Sequence, residues 1–235
     1  MSYTLGQRAV YFGASMVVRP LNLVMMRRDW QGQENLPDSG MILAANHISD
    51  LDPLYVAHMI YSSGRIPHFL AKKELFDLPV IGGSLKAMKQ IPVDRAGRSI
   101  ESLKMAEEVL DRQGVIIIYP EGTTTKDPEM WPMVGKLGMI RLALSTGAPV
   151  IPVGQWGVHQ LLPKGNKVPD IIGRHTSAIR VGVESDLDWI RAIDQPTVKD
   201  LAEATEQVMG EITDLMAPLR DGTPPEQRYN PAQRR

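Results

Sequence analysis

Residues 41–53 read MILAANHISDLDP, a stretch in which an apolar run leads through a polar turn to a proline. The run Met41–Ala45 carries no charge and has the length of a short buried strand. Asp52-Pro53 is typical of a helix start, because aspartate supplies a capping oxygen and proline is tolerated where no amide is needed. The stretch therefore predicts a strand, a turn and a helix in direct succession.

The same alternation recurs along the rest of the chain. Residues 115–119, VIIIY, give the clearest further strand, because they are apolar, uncharged and mostly β-branched. Strands that alternate with helices indicate an α/β fold. We therefore predict a mixed, largely parallel sheet flanked by helices, with an N-terminal apolar helical segment. The predicted strands are 41–45, 67–71, 90–93, 115–119, 149–153 and 179–183, and the predicted helices are 53–62, 84–89, 99–112, 136–146 and 197–218.

The N-terminal stretch 3–26 is apolar but interrupted. Arg8, Arg19 and Pro20 break it into short pieces, whereas a bilayer-spanning helix needs roughly 20 apolar residues. We therefore expect one or two short helices that lie at a membrane interface. The alternative is a helix that packs on the protein's own core. The aromatic residues expected at the level of the lipid headgroups are Tyr3, Tyr11, Phe12 and Trp30.

Three segments follow from this interpretation. Residues 1–30 form the helical segment at the membrane interface, and residues 31–220 form the main domain. Residues 221–235 are rich in proline and arginine and are expected to be an extended tail.

Composition and charge narrow the classes of function. The chain lacks cysteine, which removes disulfides, thiolate metal ligands and a cysteine nucleophile, and which fits a reducing cytosol. The net charge of −1 predicts no nucleic-acid partner. Charge is nevertheless uneven, because residues 72–98 carry six basic and three acidic side chains. That excess indicates an anionic ligand near the middle of the chain, although a solvated surface would give the same count.

The turn NHISDLDP, residues 46–53, offers a base and a carboxylate. His47 lies five residues before Asp52, a spacing at which the carboxylate can fix the imidazole tautomer and stabilise its protonated form. A capping aspartate beside a hydrogen-bonded loop histidine is the alternative. A metal site would need further ligands at regular spacing, and we predict none. The other histidines are scattered along the chain: His58, His68, His159 and His175.

Two further stretches could bind anions. YPEGTTTKD, residues 119–127, follows the clearest strand, and its tight turn would present amides to an anion or a developing oxyanion. The alternative is an ordinary turn that carries Glu121 as a surface charge. In the second stretch, residues 71–98, Arg95 follows the apolar pair Pro92-Val93 and could hold a phosphate through two hydrogen bonds.

Together and in this order, the motifs resemble those of the glycerolipid acyltransferase family, typified by bacterial 1-acyl-glycerol-3-phosphate acyltransferases. NHISDLDP matches the family's histidine–four residues–aspartate motif, which implies catalytic roles for His47 and Asp52. AKKELF and IPVDR match the second block, which places Lys72 and Arg95 at an acceptor-phosphate site.

The third and fourth blocks of the family are also matched. YPEGTT places Glu121, Gly122 and Thr123 in the block that contributes to the oxyanion and acceptor site. APVIPVG, residues 148–154, implies that Pro152 shapes a wall on the acyl side. One departure concerns Thr124, which stands where the family usually has arginine. The role of that arginine would pass to Lys126 or Lys136, or phosphate binding would be weaker.

The resemblance implies transfer of a fatty acyl chain from acyl-CoA or acyl carrier protein to the free hydroxyl of 1-acyl-sn-glycerol 3-phosphate (lysophosphatidic acid), which gives phosphatidic acid. It implies no cofactor beyond the thioester co-substrate, and peripheral contact with the cytoplasmic face of the cell membrane. Three alternatives remain open at this point: another acceptor, such as glycerol 3-phosphate or another lysophospholipid, a thioesterase, and a catalytically silent lipid-binding protein.

Overall fold

The computed structural model describes residues 5–93, 100–163, 166, 168–170 and 175–233. Within these residues strands and helices alternate over most of the chain, and one strand and two short helices were not predicted from the sequence. The strands are β1 (Met26–Gln31), β2 (Met41–Ala45), β3 (Pro67–Lys72), β4 (Ile91–Val93), β5 (Val115–Ile118), β6 (Val150–Trp156) and β7 (His175–Val181). The helices are α1 (Leu5–Met25), α2 (Asp52–Ser62), α3 (Ile81–Ala87), α4 (Ile100–Asp111), α5 (Gly138–Thr146), α6 (Val158–Leu161), α7 (Asp188–Arg191) and α8 (Val198–Met216).

The described strands form one mixed sheet in the order β1-β7-β6-β2-β5-β3-β4. The five strands from β6 to β4 run parallel, whereas β7 runs antiparallel to β6 and β1 runs parallel to β7. In the centre, Ala44 of β2 pairs with Ile118 of β5 and with Pro152 of β6. The predicted fold class, a largely parallel sheet flanked by helices, is confirmed.

The central strands are apolar throughout because both faces of the sheet are covered. Successive side chains of a strand point to opposite faces, so β2 contributes to two cores. Ile42 and Ala44 pack in one core with α4, α5 and α8. Met41, Leu43 and Ala45 pack in the other core with α2.

The N-terminal segment is a single helix that leads without a loop into the sheet. Helix α1 continues through Pro20, which was expected to break it, and ends at Met25. The helical segment predicted for residues 1–30 therefore ends earlier, because residues 26–31 form β1 and pair with β7. Among the described residues, no helix is both long and apolar enough to cross a bilayer.

Two of the aromatic residues expected at headgroup level pack against other parts of the protein instead, one buried and one half-buried. Tyr11 is buried, and its hydroxyl lies 2.7 Å from the carbonyl oxygen of Met88. Trp30 lies in β1, where its ring meets the ring of His58 edge-on at 5.0 Å. Phe12 is exposed, and Tyr3 lies outside the described residues.

The reversed direction of β1 and β7 determines where α1 ends. Trp156, at the carboxyl end of β6, pairs with Ala178 of β7, and His175 at the start of β7 pairs with Met26. The amino end of β1 therefore lies at the edge of the sheet where β2, β5 and β6 have their carboxyl ends. Met25 and Met26 share a small apolar cluster there with Leu51 of the turn after β2.

Residues 221–233 contain turns and bends but neither helix nor strand. This segment lies along α8 and the loop that follows β5. The guanidinium group of Arg228 donates to the carboxylate of Glu206 at 2.6 Å, and the carbonyl oxygen of Tyr229 accepts from the amide of Val134 at 3.1 Å. Just before the segment, the guanidinium carbon of Arg220 lies 4.1 and 4.5 Å from the ring centroids of Trp131 and Trp156.

Candidate active site

The conserved geometry of open α/β sheets places ligands at the carboxyl ends of the strands. In this chain, the turns after β2 and β5 meet at that edge. The carbonyl oxygen of His47 accepts from the amide of Thr125 at 2.7 Å, which joins NHISDLDP directly to YPEGTTT. The two motifs therefore form one site although 72 residues separate His47 from Tyr119 in the sequence.

His47 and Asp52 form the pair that the sequence predicted. Nδ1 of His47 lies 2.9 Å from Oδ2 of Asp52, and the same oxygen accepts from the amides of Ile48 at 2.7 Å and Ser49 at 2.8 Å. Asp52 is fully buried, and burial raises the pKa of its carboxyl group, opposed by the hydrogen bonds from His47 and the two amides. Three donors on one oxygen fix the position of the carboxylate.

The capping role expected of Asp52 is wrong. Helix α2 begins at Asp52, its N-cap position is Leu51, and no side chain caps it. The carboxylate instead bonds backwards to the amides of its own turn, where it orients His47. Asp50, the other aspartate of the motif, is exposed.

The imidazole of His47 is held from two directions. When Asp52 is ionised, the bond to it requires the proton on Nδ1, which leaves Nε2 as the basic nitrogen. The face of the ring stacks on Tyr119 with centroids 4.2 Å apart and an angle of 22° between the planes. The His47 side chain is 14% exposed, so a substrate hydroxyl can reach it.

Asn46 joins the turn that carries His47 to the end of β6. Its side-chain oxygen accepts from the amide of Gln155 at 2.8 Å, and its side-chain nitrogen donates to the carbonyl oxygen of Gln155 at 3.0 Å. The side chain of Gln155 in turn donates to the carbonyl oxygen of Asn46 at 2.6 Å. Both residues are buried, so these bonds fix the first residue of the motif against the sheet.

Glu121 joins two loops inside the protein and is not the surface charge of an ordinary turn. Its side chain is buried, Oε1 accepts from the amide of His47 at 2.9 Å, and Oε2 accepts from the amide of Met133 at 3.0 Å. Burial raises the pKa of this carboxyl group to about 8, against the lowering effect of the two amides. The residue thus fixes both the turn that carries His47 and the loop after β5.

The amides of Gly122 and Thr123, in the turn predicted to face an oxyanion, differ in whether they already donate a hydrogen bond. The amide of Gly122 donates to the carbonyl oxygen of Tyr119 at 2.9 Å and closes the turn, so it is not available to a ligand. Among the described residues, the amide of Thr123 has no acceptor and remains available. Gly122 has a φ of 72°, and a Cβ there would lie 2.4 Å from Nζ of Lys136. Glycine therefore lets the Lys136 ammonium lie over the turn at Gly122.

The remaining predicted residues lie at different depths. Lys72 is exposed at the carboxyl end of β3, where it pairs with Val93 of β4. Arg95 lies two residues beyond Val93 and outside the described residues. Pro152 is buried within β6, where its carbonyl oxygen accepts from the amide of Gly182 at 2.9 Å.

Comparison with known proteins identifies the family. The family model described as Acyltransferase matches residues 27–156, more than half of the chain and all four motifs. The chain belongs to the acyltransferase family.

The curated relatives of this chain share one description. A 1-acyl-sn-glycerol-3-phosphate acyltransferase of Bacillus subtilis is 34% identical over 148 residues, which cover 60% of this chain and 69% of that protein. The chloroplastic protein BAT2 of Brassica napus is 32% identical over 145 residues, 60% of this chain. The matched region spans only 40% of BAT2 and 38% of the chloroplastic LPAT1 of Arabidopsis thaliana.

A solved structure shares the fold. The crystal structure of the 1-acyl-sn-glycerophosphate acyltransferase PlsC from Thermotoga maritima superposes with a TM-score of 0.64 at 23% identity, covering 92% of this chain and 81% of that one.

Some residues of the site were not predicted from the sequence. The stacking role of Tyr119 and the bonds of Gln155 depend on the packing of β2 between β5 and β6, which the sequence does not specify. The burial of Glu121 has the same origin. The only signal was positional, since all three residues stand at the carboxyl end of a predicted buried strand or just after it.

Proposed function

We propose that this acyltransferase transfers a fatty acyl chain from a thioester to the free hydroxyl of 1-acyl-sn-glycerol 3-phosphate and so forms phosphatidic acid. The observation that carries the proposal is the His47–Asp52 pair, held by loop amides at the carboxyl edge of the sheet. The names of the curated relatives support the choice of acceptor.

In this reaction Nε2 of His47 removes the proton of the acceptor hydroxyl. The hydroxyl oxygen attacks the thioester carbonyl, and the resulting oxyanion accepts a hydrogen bond from the free amide of Thr123. The attack forms the ester C–O bond, and collapse of the tetrahedral intermediate restores the carbonyl and breaks the C–S bond. His47 then returns its proton to the departing thiolate. Asp52 stabilises the imidazolium between the two transfers, and the Tyr119 ring keeps the imidazole in place.

The acceptor phosphate is the second element of the proposal. Lys72 and Arg95 bind it, and Lys136 supplies the cation that Thr124 lacks. The donor is acyl-CoA or acyl carrier protein, and no cofactor takes part. The protein lies on the cytoplasmic face of the cell membrane as a peripheral protein, where both acceptor and product reside.

The two aspartates of the motif provide a matched test. We expect Asp52→Asn to lower kcat by at least about 100-fold, because the amide cannot stabilise the imidazolium. Asp50→Asn, two residues away and exposed, should retain normal turnover. The assay measures thiol release from palmitoyl-CoA with 1-oleoyl-glycerol 3-phosphate, and mass spectrometry of the phosphatidic acid identifies the product.

The same assay tests the alternatives. Near-normal turnover of purified, folded His47→Ala protein would refute the mechanism. Thiol release that does not require an acceptor would instead show a thioesterase, and absence of all thiol release would show a lipid-binding protein.

A further inference from the structure

Residues 73–89 form a small packed unit beside β3 and β4, which we name the 73–89 lobe. It consists of the 3₁₀ segment Lys73–Asp77 followed by α3. Phe76 is buried beneath it, and a Cβ at Gly82 would lie 2.1 Å from the carbonyl oxygen of Phe76. Glycine therefore lets the two segments cross in direct contact. The amide of Gly82 also donates to the carbonyl oxygen of Leu78 at 2.9 Å, which closes the connection between them.

The outer side of the lobe is apolar. Leu75, Leu78 and Val80 are exposed, and Val80 is exposed to 85%. Val80 also has a φ of 65° and a ψ of −56°, close to the rare and strained γ-turn of positive φ. A β-branched residue seldom adopts positive φ, so the chain bears strain at the residue that projects furthest.

Positive charge predominates in the same stretch of the chain. Between Lys72 and Lys89 there are four lysines and only two acidic residues, Glu74 and Asp77, and all six are exposed. Apolar side chains among lysines match a lipid leaflet with anionic headgroups, because the acyl region covers the former and the headgroups bind the latter. An acidic carrier protein would satisfy the lysines but would leave Leu78 and Val80 to find apolar cover.

The lobe is attached to a second exposed apolar surface. The hydroxyl of Tyr11 in α1 lies 2.7 Å from the carbonyl oxygen of Met88, just after α3, and accepts from the side chain of Gln90 at 3.0 Å. Phe12 and Met16 of α1 are exposed. Two exposed apolar surfaces therefore lie on elements that contact each other.

We propose that the 73–89 lobe is a second membrane-docking surface, which inserts Leu78 and Val80 into an anionic leaflet while its lysines bind the headgroups. The inference rests on the proposed function, in which the acceptor is a membrane lipid.

The test is sedimentation of the full-length protein with vesicles, measured without substrates. We expect Leu78→Asn/Val80→Asn to weaken partitioning onto phosphatidylcholine vesicles with 30% phosphatidylglycerol by about tenfold. Lys73→Gln/Lys86→Gln should weaken binding to these vesicles and leave the weak binding to pure phosphatidylcholine unchanged. Val183→Asn is the control, because Val183 is 70% exposed and follows β7, which lies far from β3 and β4 in the strand order.

Turnover of a short-chain, monodisperse acceptor with acyl-CoA shows that each variant is folded, since Leu78 and Val80 take no part in the chemistry. Wild-type partitioning of the Leu78→Asn/Val80→Asn protein would overturn the proposal. So would unchanged partitioning together with lost activity on an acyl-carrier-protein donor, which would assign the surface to that protein. Absence of acyl transfer in the wild type would refute the proposed function but would leave the partitioning result intact.

Discussion

The side chain of Glu121 joins the two loops of the site through bonds to the amides of His47 and Met133. Its burial raises its pKa from an ordinary value of 4.5 to about 8. Between these two values the folded protein binds more protons at this position than the unfolded chain. The free energy of unfolding therefore falls as pH rises through this window, and the contribution of the protonated group is complete only below its lower end.

The Glu121→Gln variant has no group that binds or releases a proton at this position. We expect the unfolding free energy of the wild type minus that of the variant to fall as pH rises from 5 to 8, by up to about 1.4 kcal/mol per pH unit. Urea titrations at four pH values measure it, and other titrating groups cancel in the difference. A difference that stays constant across this range would show that Glu121 keeps an ordinary pKa.

The choice between Asp50 and Asp52 could be made from the sequence, because the motif spacing selects Asp52. The bonding of Asp52 to Ile48 and Ser49 could not, since a helix-start aspartate has two sets of amides within reach. Burial decided between them: inside the protein, the carboxylate is satisfied by the turn that carries His47.

At the scale of elements, the central apolar strands β2 and β5 were predicted closely, whereas β7 was predicted at 179–183 and extends from His175 to Val181. β2 has its predicted bounds, and β5 differs by one residue. β1, with the sequence MRRDWQ, was missed because its charged side chains hide any apolar alternation. Its strand conformation comes from pairing with β7, a contact between residues about 150 positions apart that local sequence does not encode.

Helix α1 has a buried side and an exposed apolar side. Tyr11 and Asn22 attach it to the protein, the latter through the side chain of His58 at 3.4 Å. We expect Phe12→Asn/Met16→Asn to weaken vesicle binding by about tenfold. The free energy of unfolding should stay within about 0.5 kcal/mol of the wild-type value, because both side chains are exposed. Flotation on a density gradient measures binding. An unchanged floating fraction would refute membrane contact by α1.

At the scale of the whole molecule, Arg220 connects the end of the last helices to two segments at the carboxyl edge of the sheet. Arg220 lies between Trp131, in the loop after β5, and Trp156, at the end of β6. It therefore connects the end of α8 to the loop after β5 and to the end of β6. Nothing in the sequence near Arg220 indicates this contact, because an arginine-rich tail is equally typical of an extended, solvated segment.

Arg220→Ala should lower the free energy of unfolding by about 1–2 kcal/mol, because two cation–π contacts are lost. Arg141→Ala, on the exposed side of α5, is the matched control and should change it by less than about 0.5 kcal/mol. Chemical denaturation measures both. Equal stability of the two variants would show that the tryptophan contacts contribute nothing.

The direct passage from α1 into β1, at the edge that carries His47, has a kinetic consequence. A helix bound to the lipid surface would hold the catalytic edge at a set distance from that surface, with no linker to let the protein swing away. Successive turnovers would then occur on one vesicle before release. The rate would follow the mole fraction of acceptor in the surface and not its bulk concentration, and dilution with inert lipid would lower it at constant total acceptor.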